Sequence, residues 1–479
     1  MGHDCGGAEH ADCLARCDPS SASRSRSEWL TEQGRGYHSP FRSELAVTGK
    51  YSAWAVFAIV FFIGINGNYV LSTRFGVGIA HPVVFAASTG LALLLLIRFG
   101  EQPAGAARYF LAMTLWLIAV LLSIMFSATP GQSLEALRDF APIPMISFAL
   151  FFLINDRDRF LSACWALASA AFLVSALTVF QKLSGTTSND YFGLARGVVA
   201  HVSGDSDSFR PSGPIENPNY YAQMLLPGLA ISLGSAMSEI QRWQRVVFAI
   251  MSSVIAAAVL MTLSRGGAVA MVAMIIVVMV YTRKAYLIAL LAPPALAVIM
   301  LTPGKLERFE DAFTAVSEAA TGQRISEISV SGRISEMKVA AIAFSEAPWT
   351  GVGFGQVEFN YQAISVQRDL DLRSTDRAAH SLYLEVAAEQ GIAGLIALFA
   401  VIWLAFTAAK RRDGTDTRLE LHRSMVVSGT VGMLISAVFL HDAYFNLMWL
   451  MLTLLYAFER VDTVRQPWKA RFMGDVRHA

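Results

Sequence analysis

One histidine in this chain stands where proton-transfer chemistry and a long apolar segment meet. His380 follows the basic residue Arg377 and precedes a segment that becomes continuously apolar from Gly391 onward. An imidazole with an ordinary pKa, about 6.5, is neutral at neutral pH and therefore suits a general base. A single histidine here is also typical of a polar residue at a helix entry, and that alternative stays open.

Three arginines lie at positions that suit binding of an anion, and two of them are next to glycine or proline. Arg210 opens the stretch RPSGPIENPNYYAQ, in which Asn217 and Pro218 predict the N-cap and first position of a helix. Arg333 follows a glycine at the start of a predicted helix, and Arg377 precedes His380. Each arginine, taken singly, also fits a solvated charge or a surface ion pair with a nearby carboxylate.

A further arginine sits in a very short link between two apolar runs. Arg265 lies in the sequence Ser264-Arg265-Gly266-Gly267, and a helix N-terminus with bare glycine amides favours an anion such as phosphate. The alternative is an arginine that extends its side chain to lipid headgroups. His441 and Asp442 lie between the last two apolar runs, where helix capping would also explain them.

The elements that must position these groups are apolar helices. The chain has 479 residues, of which 54% are hydrophobic and 16% charged, too few charges to cover a soluble protein of this length. Only helices satisfy backbone polar groups in lipid with segments of this kind. The sequence thus predicts an all-α polytopic membrane protein with about twelve transmembrane helices, a count based on apolar runs of up to about 20 residues. These runs lie at about 52–71, 78–97, 109–127, 140–154, 160–181, 220–238, 246–262, 267–282, 286–302, 391–409, 424–441 and 443–459.

The distribution of Lys and Arg predicts the orientation. If the N-terminus is cytoplasmic, 24 of the 38 basic residues lie on the inside, and only six lie in the short outside segments. The remaining basic residues lie in one long loop. The tendency of Lys and Arg to lie on the cytoplasmic side holds for short loops, so this loop is not counted. Both termini are therefore predicted to be cytoplasmic, with His380 and the arginines above on the outer side.

The predicted organisation has five parts. A flexible cytoplasmic tail (1–50) precedes helices one to nine (51–302), which include an outer loop at 182–219. A large outer loop (303–390) contains amphipathic helices and a turn at PWTGVGFGQ; it precedes helices ten to twelve (391–459) and a second cytoplasmic tail (460–479). Cys5, Cys13 and Cys17 match no standard zinc spacing, so reduced thiols are expected.

The order of these motifs resembles that of the O-antigen ligase and O-antigen polymerase superfamily of bacterial envelope glycosyltransferases. The matching stretches are RPSGPIENPNYYA (210–222), LSRGGAVA (263–270), SGRISEMKVA (331–340), PWTGVGFGQ (348–356) and HSLYLEVAAEQGIAG (380–394). Pro214 and Glu216 depart from the small or aromatic residues that members often have there.

The resemblance implies a metal-independent, inverting transfer on the periplasmic face of the bacterial inner membrane. A glycan on an undecaprenyl diphosphate carrier passes to an acceptor hydroxyl on lipid A core, a growing polysaccharide or a protein. On matching positions, Arg265 and Arg333 would hold the diphosphate, with help from Arg210 and Arg377. His380 would act as the base. Asp442 would correspond to an acidic residue that family members use near the end of the chain. The expected partners are the lipid-linked oligosaccharide donor, the acceptor and membrane lipid.

No cofactor and no nucleic acid are expected. Nothing resembles a nucleotide site, since GVGFG lacks the Lys and Ser/Thr of a phosphate-binding loop. Ligase and polymerase remain alternatives. An envelope-polysaccharide transporter or flippase is the alternative from another class, although few charges lie within the apolar runs, where an ion pathway would need them.

Overall fold

The chain folds mostly into helices, as the continuous apolar runs require. The computed structural model describes residues 40–75, 105–202, 206–238, 241–284, 328–368, 370, 377–410, 416–441 and 445–463. The helices are α1 (Pro40–Gly64), α2 (Gly67–Phe75), α3 (Ala106–Phe126), α4 (Pro130–Phe140), α5 (Pro142–Leu153), α6 (Arg157–Leu183), α7 (Pro218–Met237), α8 (Arg242–Met261), α9 (Arg265–Thr282), α10 (Ile328–Glu346), α11 (Val357–Gln367), α12 (Leu382–Ala408), α13 (Thr417–Ser436) and α14 (Asn446–Thr463).

The predicted all-α membrane class is confirmed. Within the described ranges, six spans are long and apolar enough to cross a membrane, or seven if α1 and α2, bent by 60° at Gly64–Gly67, form one broken span. The runs predicted at 78–97 and 286–302 lie outside the described residues, and each other run overlaps a helix. The total of twelve therefore stays a prediction.

Helix α7 forms the centre of the bundle, because its residues from Tyr221 to Ser235 are all buried. Small residues let its neighbours approach closely. A Cβ on Gly228 would lie 2.3 Å from Cβ of Ala171 in α6, and one on Gly234 would lie 2.2 Å from Cγ of Met425 in α13. Lipid tails are as apolar as the helix surfaces, so the hydrophobic effect does not drive helices together in a membrane. Close packing of small residues is one of the interactions that holds them together instead.

Helix α12 begins at Leu382, nine residues before the predicted start at 391, and it is kinked at Gly391 (φ 64°, ψ −156°). The turn at 348–356, predicted from its glycines, packs against this kink. The amides of Val352 and Ile392 donate to the carbonyls of Ala388 (2.9 Å) and Pro348 (2.8 Å). Hydropathy marks only the apolar part of α12, which explains the late predicted start.

A two-stranded antiparallel hairpin replaces part of the predicted outer loop at 182–219. Its strands are β1 (Arg196–Val202) and β2 (Ser206–Gly213), and Arg210 lies in β2 opposite Val198. Of the two amphipathic helices predicted in the long loop, the one at RISEMKVAAIAFSEA (333–347) is confirmed as α10, whereas the one at KLERFEDAFTAVSEAA (305–320) lies outside the described residues.

Contacts between helix ends distinguish two opposite ends of the described bundle. One end, here called the histidine end, joins the start of α12 to the end of α13: the amide of Leu382 donates to the carbonyls of Ala437 (2.9 Å) and Leu440 (2.7 Å). At the opposite end, Arg460 donates to the carbonyls of Phe151 (3.3 Å) and Phe152 (3.0 Å) at the end of α5. This contact satisfies carbonyls that a helix end would otherwise leave unpaired.

Candidate functional site

His380 lies in the turn that leads into α12, next to an acidic residue of α10. Its backbone is in the left-handed region (φ 49°), which few non-glycine residues adopt. Ring atom Nδ1 lies 3.2 Å from the carbonyl of Ala378 and 3.6 Å from Oε2 of Glu336. Because a carbonyl only accepts, this hydrogen bond places the proton of neutral His380 on Nδ1, which leaves the lone pair on Nε2.

The surroundings of His380 favour its neutral form. Burial is the main cause that lowers the pKa of His380 to about 4; the charges of Arg333 and Arg377 act in the same direction, and the hydrogen bond to Ala378 opposes them. Both arginines therefore lie close enough to act on the ring. A neutral imidazole with a free lone pair is the form that accepts a proton.

Helix α10 reaches this position because it packs against α11 and the start of α12. Buried Val339 and Ala343 of α10 form a small apolar cluster with Tyr361 of α11, with Ala388 of α12 and with Ala379, which precedes α12. Glu336 is itself buried, one turn after Arg333 on α10. The cluster therefore fixes Arg333 and Glu336 beside His380.

A second histidine lies against the first. The rings of His380 and His441 are 5.4 Å apart between centroids and tilted by 34°. Tyr220, in the first turn of α7, stacks its edge on His441 (5.3 Å, 82°), and its hydroxyl donates to the His441 carbonyl at 2.7 Å. Burial lowers the pKa of His441 to about 3, and His380 contributes.

Arg210 joins β2 to the turn between α8 and α9. Its Nε donates to the carbonyl of Thr262 (2.9 Å), and a terminal nitrogen donates to Oδ1 of Asn219 (3.3 Å). The predicted start of α7 is confirmed, because Asn217 caps it by accepting from the amide of Asn219 and Pro218 occupies the first turn.

Arg265 begins α9 directly after that turn. Its N-cap, Ser264, accepts a hydrogen bond from the amide of Gly267 at 3.2 Å. The expectation of bare glycine amides here is therefore wrong for Gly267, whose amide is used by the cap. A Cβ on Gly266 would lie 3.1 Å from Cδ2 of Phe439, two residues before His441, so this turn lies against the end of α13.

The predicted residues thus fall into two neighbouring groups at the histidine end. His380, Arg333 and Arg377 form one group, and Arg210 and Arg265 meet at the α8–α9 turn. Tyr220, Phe439 and His441 lie between these two groups. Asp442 lies outside the described residues.

A cavity of about 910 Å³ opens beside the two histidines and extends along apolar helix faces. Its lining includes His441, Ala378 and Ala379, together with the buried carboxylate residues Glu385 and Glu389 of α12. These two glutamates were not among the predicted site residues. Their spacing of four residues was visible within HSLYLEVAAEQ, but only the fold shows that they line a cavity.

These features define a class: a polytopic helical membrane protein that gathers arginines around a neutral histidine at one end of its bundle. Residues 246–399, just under a third of the chain, match the family model described as O-Antigen ligase. This match confirms the resemblance to the O-antigen ligase superfamily and supports glycan transfer of the ligase or polymerase type in general. The matched segment contains Arg265, Arg333, Arg377 and His380, whereas Arg210 precedes it.

Comparison with curated proteins gives no match. Among the residues that the structure describes, there is no group of three or more His, Cys, Asp or Glu that could hold a metal ion. The cysteines of the N-terminal tail lie outside the described ranges.

Proposed function

We propose that this protein transfers a glycan from an undecaprenyl diphosphate carrier to an acceptor hydroxyl, on the periplasmic face of a bacterial inner membrane. The single observation that carries the proposal is the environment of His380. Its Nδ1 proton is held by the Ala378 carbonyl, its ring is buried beside Glu336, and Arg333 and Arg377 lie within electrostatic reach.

The reaction is a single displacement at the anomeric carbon of the donor. The acceptor hydroxyl gives its proton to Nε2 of His380 while its oxygen forms the new bond to C1. The bond from C1 to the diphosphate oxygen breaks, and its electron pair leaves with the diphosphate. One such displacement inverts the configuration at C1, and no general acid is needed because diphosphate is already a good leaving group.

Each residue has a separate part in this step. Arg265 and Arg333, assisted by Arg210 and Arg377, bind the diphosphate and neutralise the charge that develops as it leaves, since guanidinium groups pair bidentately with phosphate oxygens. Glu336 lies 3.6 Å from Nδ1 and stabilises the imidazolium that forms. A positioned general base typically contributes a factor of about 10² to 10⁴ in rate.

The experiment compares variants in cells that make a carrier-linked glycan. In His380→Ala and Arg265→Ala we expect this glycan to reach the outer face on its carrier but not to be joined to an acceptor. Lys338→Ala is the matched control, because Lys338 is exposed on the same helix as Arg333 and should leave joining unchanged.

The location of the glycan distinguishes the two classes of function. If the His380→Ala variant retains carrier-linked glycan on the cytoplasmic face, the protein is a transporter or flippase and the transferase proposal is wrong. If His380→Ala joins glycan at the rate of the unsubstituted protein, His380 is not the base.

A further inference from the structure

The cavity of about 910 Å³ has two chemically different parts. One part is lined by aliphatic and aromatic side chains of α1 and α5, among them Phe62, Ile146 and Leu150. The other part lies at the histidine end and is lined by polar groups, including Asn68, Glu385 and Glu389. An occupant that fits both parts has an apolar chain and a polar head.

The charges around the cavity argue against a diphosphate as that head. Glu385 and Glu389 are 4% and 3% exposed and lie one helical turn apart on α12, and Asp139 and Glu358 line the cavity as well. Within the described part of the chain, the lining includes no arginine or lysine. This lining therefore offers a diphosphate no guanidinium or ammonium group, whereas arginines lie near His380 and at the α8–α9 turn.

Carboxylates and amides suit a head that carries hydroxyl groups, because an ionised carboxylate accepts hydrogen bonds from several donors. His441 supplies an independent indication that a polar ligand belongs here. His441 lines the cavity, and its Nδ1 is buried without a hydrogen-bond partner among the residues described. A buried polar atom of this kind is costly unless a partner satisfies it.

The position of His441 also connects the cavity to the reaction. Its ring packs on that of His380 at 5.4 Å between centroids, and Ala378 and Ala379, immediately before His380, line the cavity. A hydroxyl held at this end of the cavity therefore lies next to the proposed base.

We propose that this cavity is the acceptor site, and that it binds a neutral sugar carried on an apolar chain, with Glu385 and Glu389 accepting hydrogen bonds from the sugar hydroxyls. This assignment of the acceptor as a glycolipid rests on the proposed function. The binding itself is measurable without any transfer.

The test uses the full chain in nanodiscs of phosphatidylethanolamine and phosphatidylglycerol. The probe is decyl maltoside with a diazirine in its alkyl chain, used below its micellar concentration, and labelled peptides are identified by mass spectrometry. We expect labelling of α5 around Ile146 and Leu150, and competition by unlabelled decyl maltoside. Decyl phosphocholine, which has the same chain without the sugar, should not compete.

Variants separate the two parts of the cavity. Glu385→Gln and Glu389→Gln keep the side-chain shape and should each reduce labelling roughly tenfold, the loss expected for a hydrogen bond to a charged group. Ile146→Trp fills the apolar part without touching the carboxylates and should abolish labelling. Glu346→Gln, on exposed Glu346 of α10, is the control and should label normally. Size-exclusion profiles confirm that each variant is folded.

Two results would overturn the assignment. Equal competition by decyl phosphocholine, with no effect of the glutamine variants, would make the cavity a slot for any lipid chain. Displacement of the probe by farnesyl diphosphate would make it part of the donor site. Glycan transfer measured on the same samples separates the two proposals. Transfer without probe binding refutes only the acceptor site, whereas probe binding without transfer refutes the proposed function and leaves the cavity as a glycolipid site that is not an acceptor site.

Discussion

Substitution of Gly391 by alanine should destabilise the protein strongly, because two separate costs fall on one position. Gly391 has φ 64° and ψ −156°, a backbone conformation that essentially only glycine adopts and that costs other residues about 1–3 kcal/mol. A Cβ there would also lie 2.5 Å from the carbonyl carbon of Trp349 and 2.6 Å from the amide nitrogen of Thr350. These are backbone atoms, so no side chain can rotate away, and the overpacking adds roughly another 1–3 kcal/mol.

The expected total is therefore about 2–6 kcal/mol in the free energy of unfolding, a large share of the roughly 5–15 kcal/mol that stabilises a typical protein. The assay is unfolding by sodium dodecyl sulfate in mixed micelles, followed by circular dichroism. Two glycines provide matched controls. Gly185 has φ 69° and nothing within 4 Å of an added Cβ, so Gly185→Ala measures backbone strain alone. Gly131 lies in α4 with no positive φ and no neighbour within 4 Å, so Gly131→Ala should be neutral or slightly stabilising.

The order of the three variants tests the reasoning. We expect Gly391→Ala to be the least stable, Gly185→Ala intermediate at about 1–2 kcal/mol of strain, and Gly131→Ala the most stable. If Gly391→Ala unfolds at the same detergent fraction as Gly131→Ala, the kink is not held against the 348–356 turn as the structure has it.

Four further outcomes are expected. Because the pKa of His380 is lowered to about 4, kcat/KM should stay flat as pH falls through 6.5 and decline only toward pH 4. Arg333→Ala removes a charge that lowers this pKa, so the decline should move to higher pH. An unchanged pH profile in Arg333→Ala would contradict the electrostatic contact. Over the same interval the unfolded chain binds a proton that the folded His380 does not, so this residue should make stability fall with falling pH. Detergent titration should show a smaller fall in His380→Ala, in which buried His441 still acts in the same direction. Asn217→Ala should lower the free energy of unfolding by about 1 kcal/mol while Asn217→Asp preserves it, and equal loss in both would exclude the capping role. Tyr220→Phe removes the hydroxyl that donates to the His441 carbonyl and should cost about 0.5–1.5 kcal/mol in the same titration; no change would show that this bond adds nothing.

The helices were predictable because their apolar length is a local property of the sequence. Hydropathy indicates where a segment can cross lipid, but it does not indicate where a helix is kinked or bent. The kink at Gly391 and the bend between Gly64 and Gly67 therefore appear only in the structure. The hairpin was missed for a related reason, since β1 and β2 are short and their pairing depends on contacts within the loop.

The candidate site divides in the same way. His380 and the arginines could be selected from the sequence because each stands beside residues that mark a helix start or a tight turn. The proximity of Glu336 to Nδ1 of His380 depends on how α10 packs against α12, which no local pattern encodes. Glu385 and Glu389 look like ordinary charges of a helix entry until the fold places them on a cavity wall.

The most direct test of the proposed transfer uses purified protein, a defined oligosaccharide on undecaprenyl diphosphate, and candidate acceptors, with a chelator present and no nucleotide. We predict an acceptor-linked product, enlarged by one addition for a ligase or as a ladder for a polymerase, and a loss of about 10² to 10⁴ in rate for His380→Ala. Absence of product from the unsubstituted protein with every acceptor, or a strict requirement for added metal, would contradict the proposed mechanism.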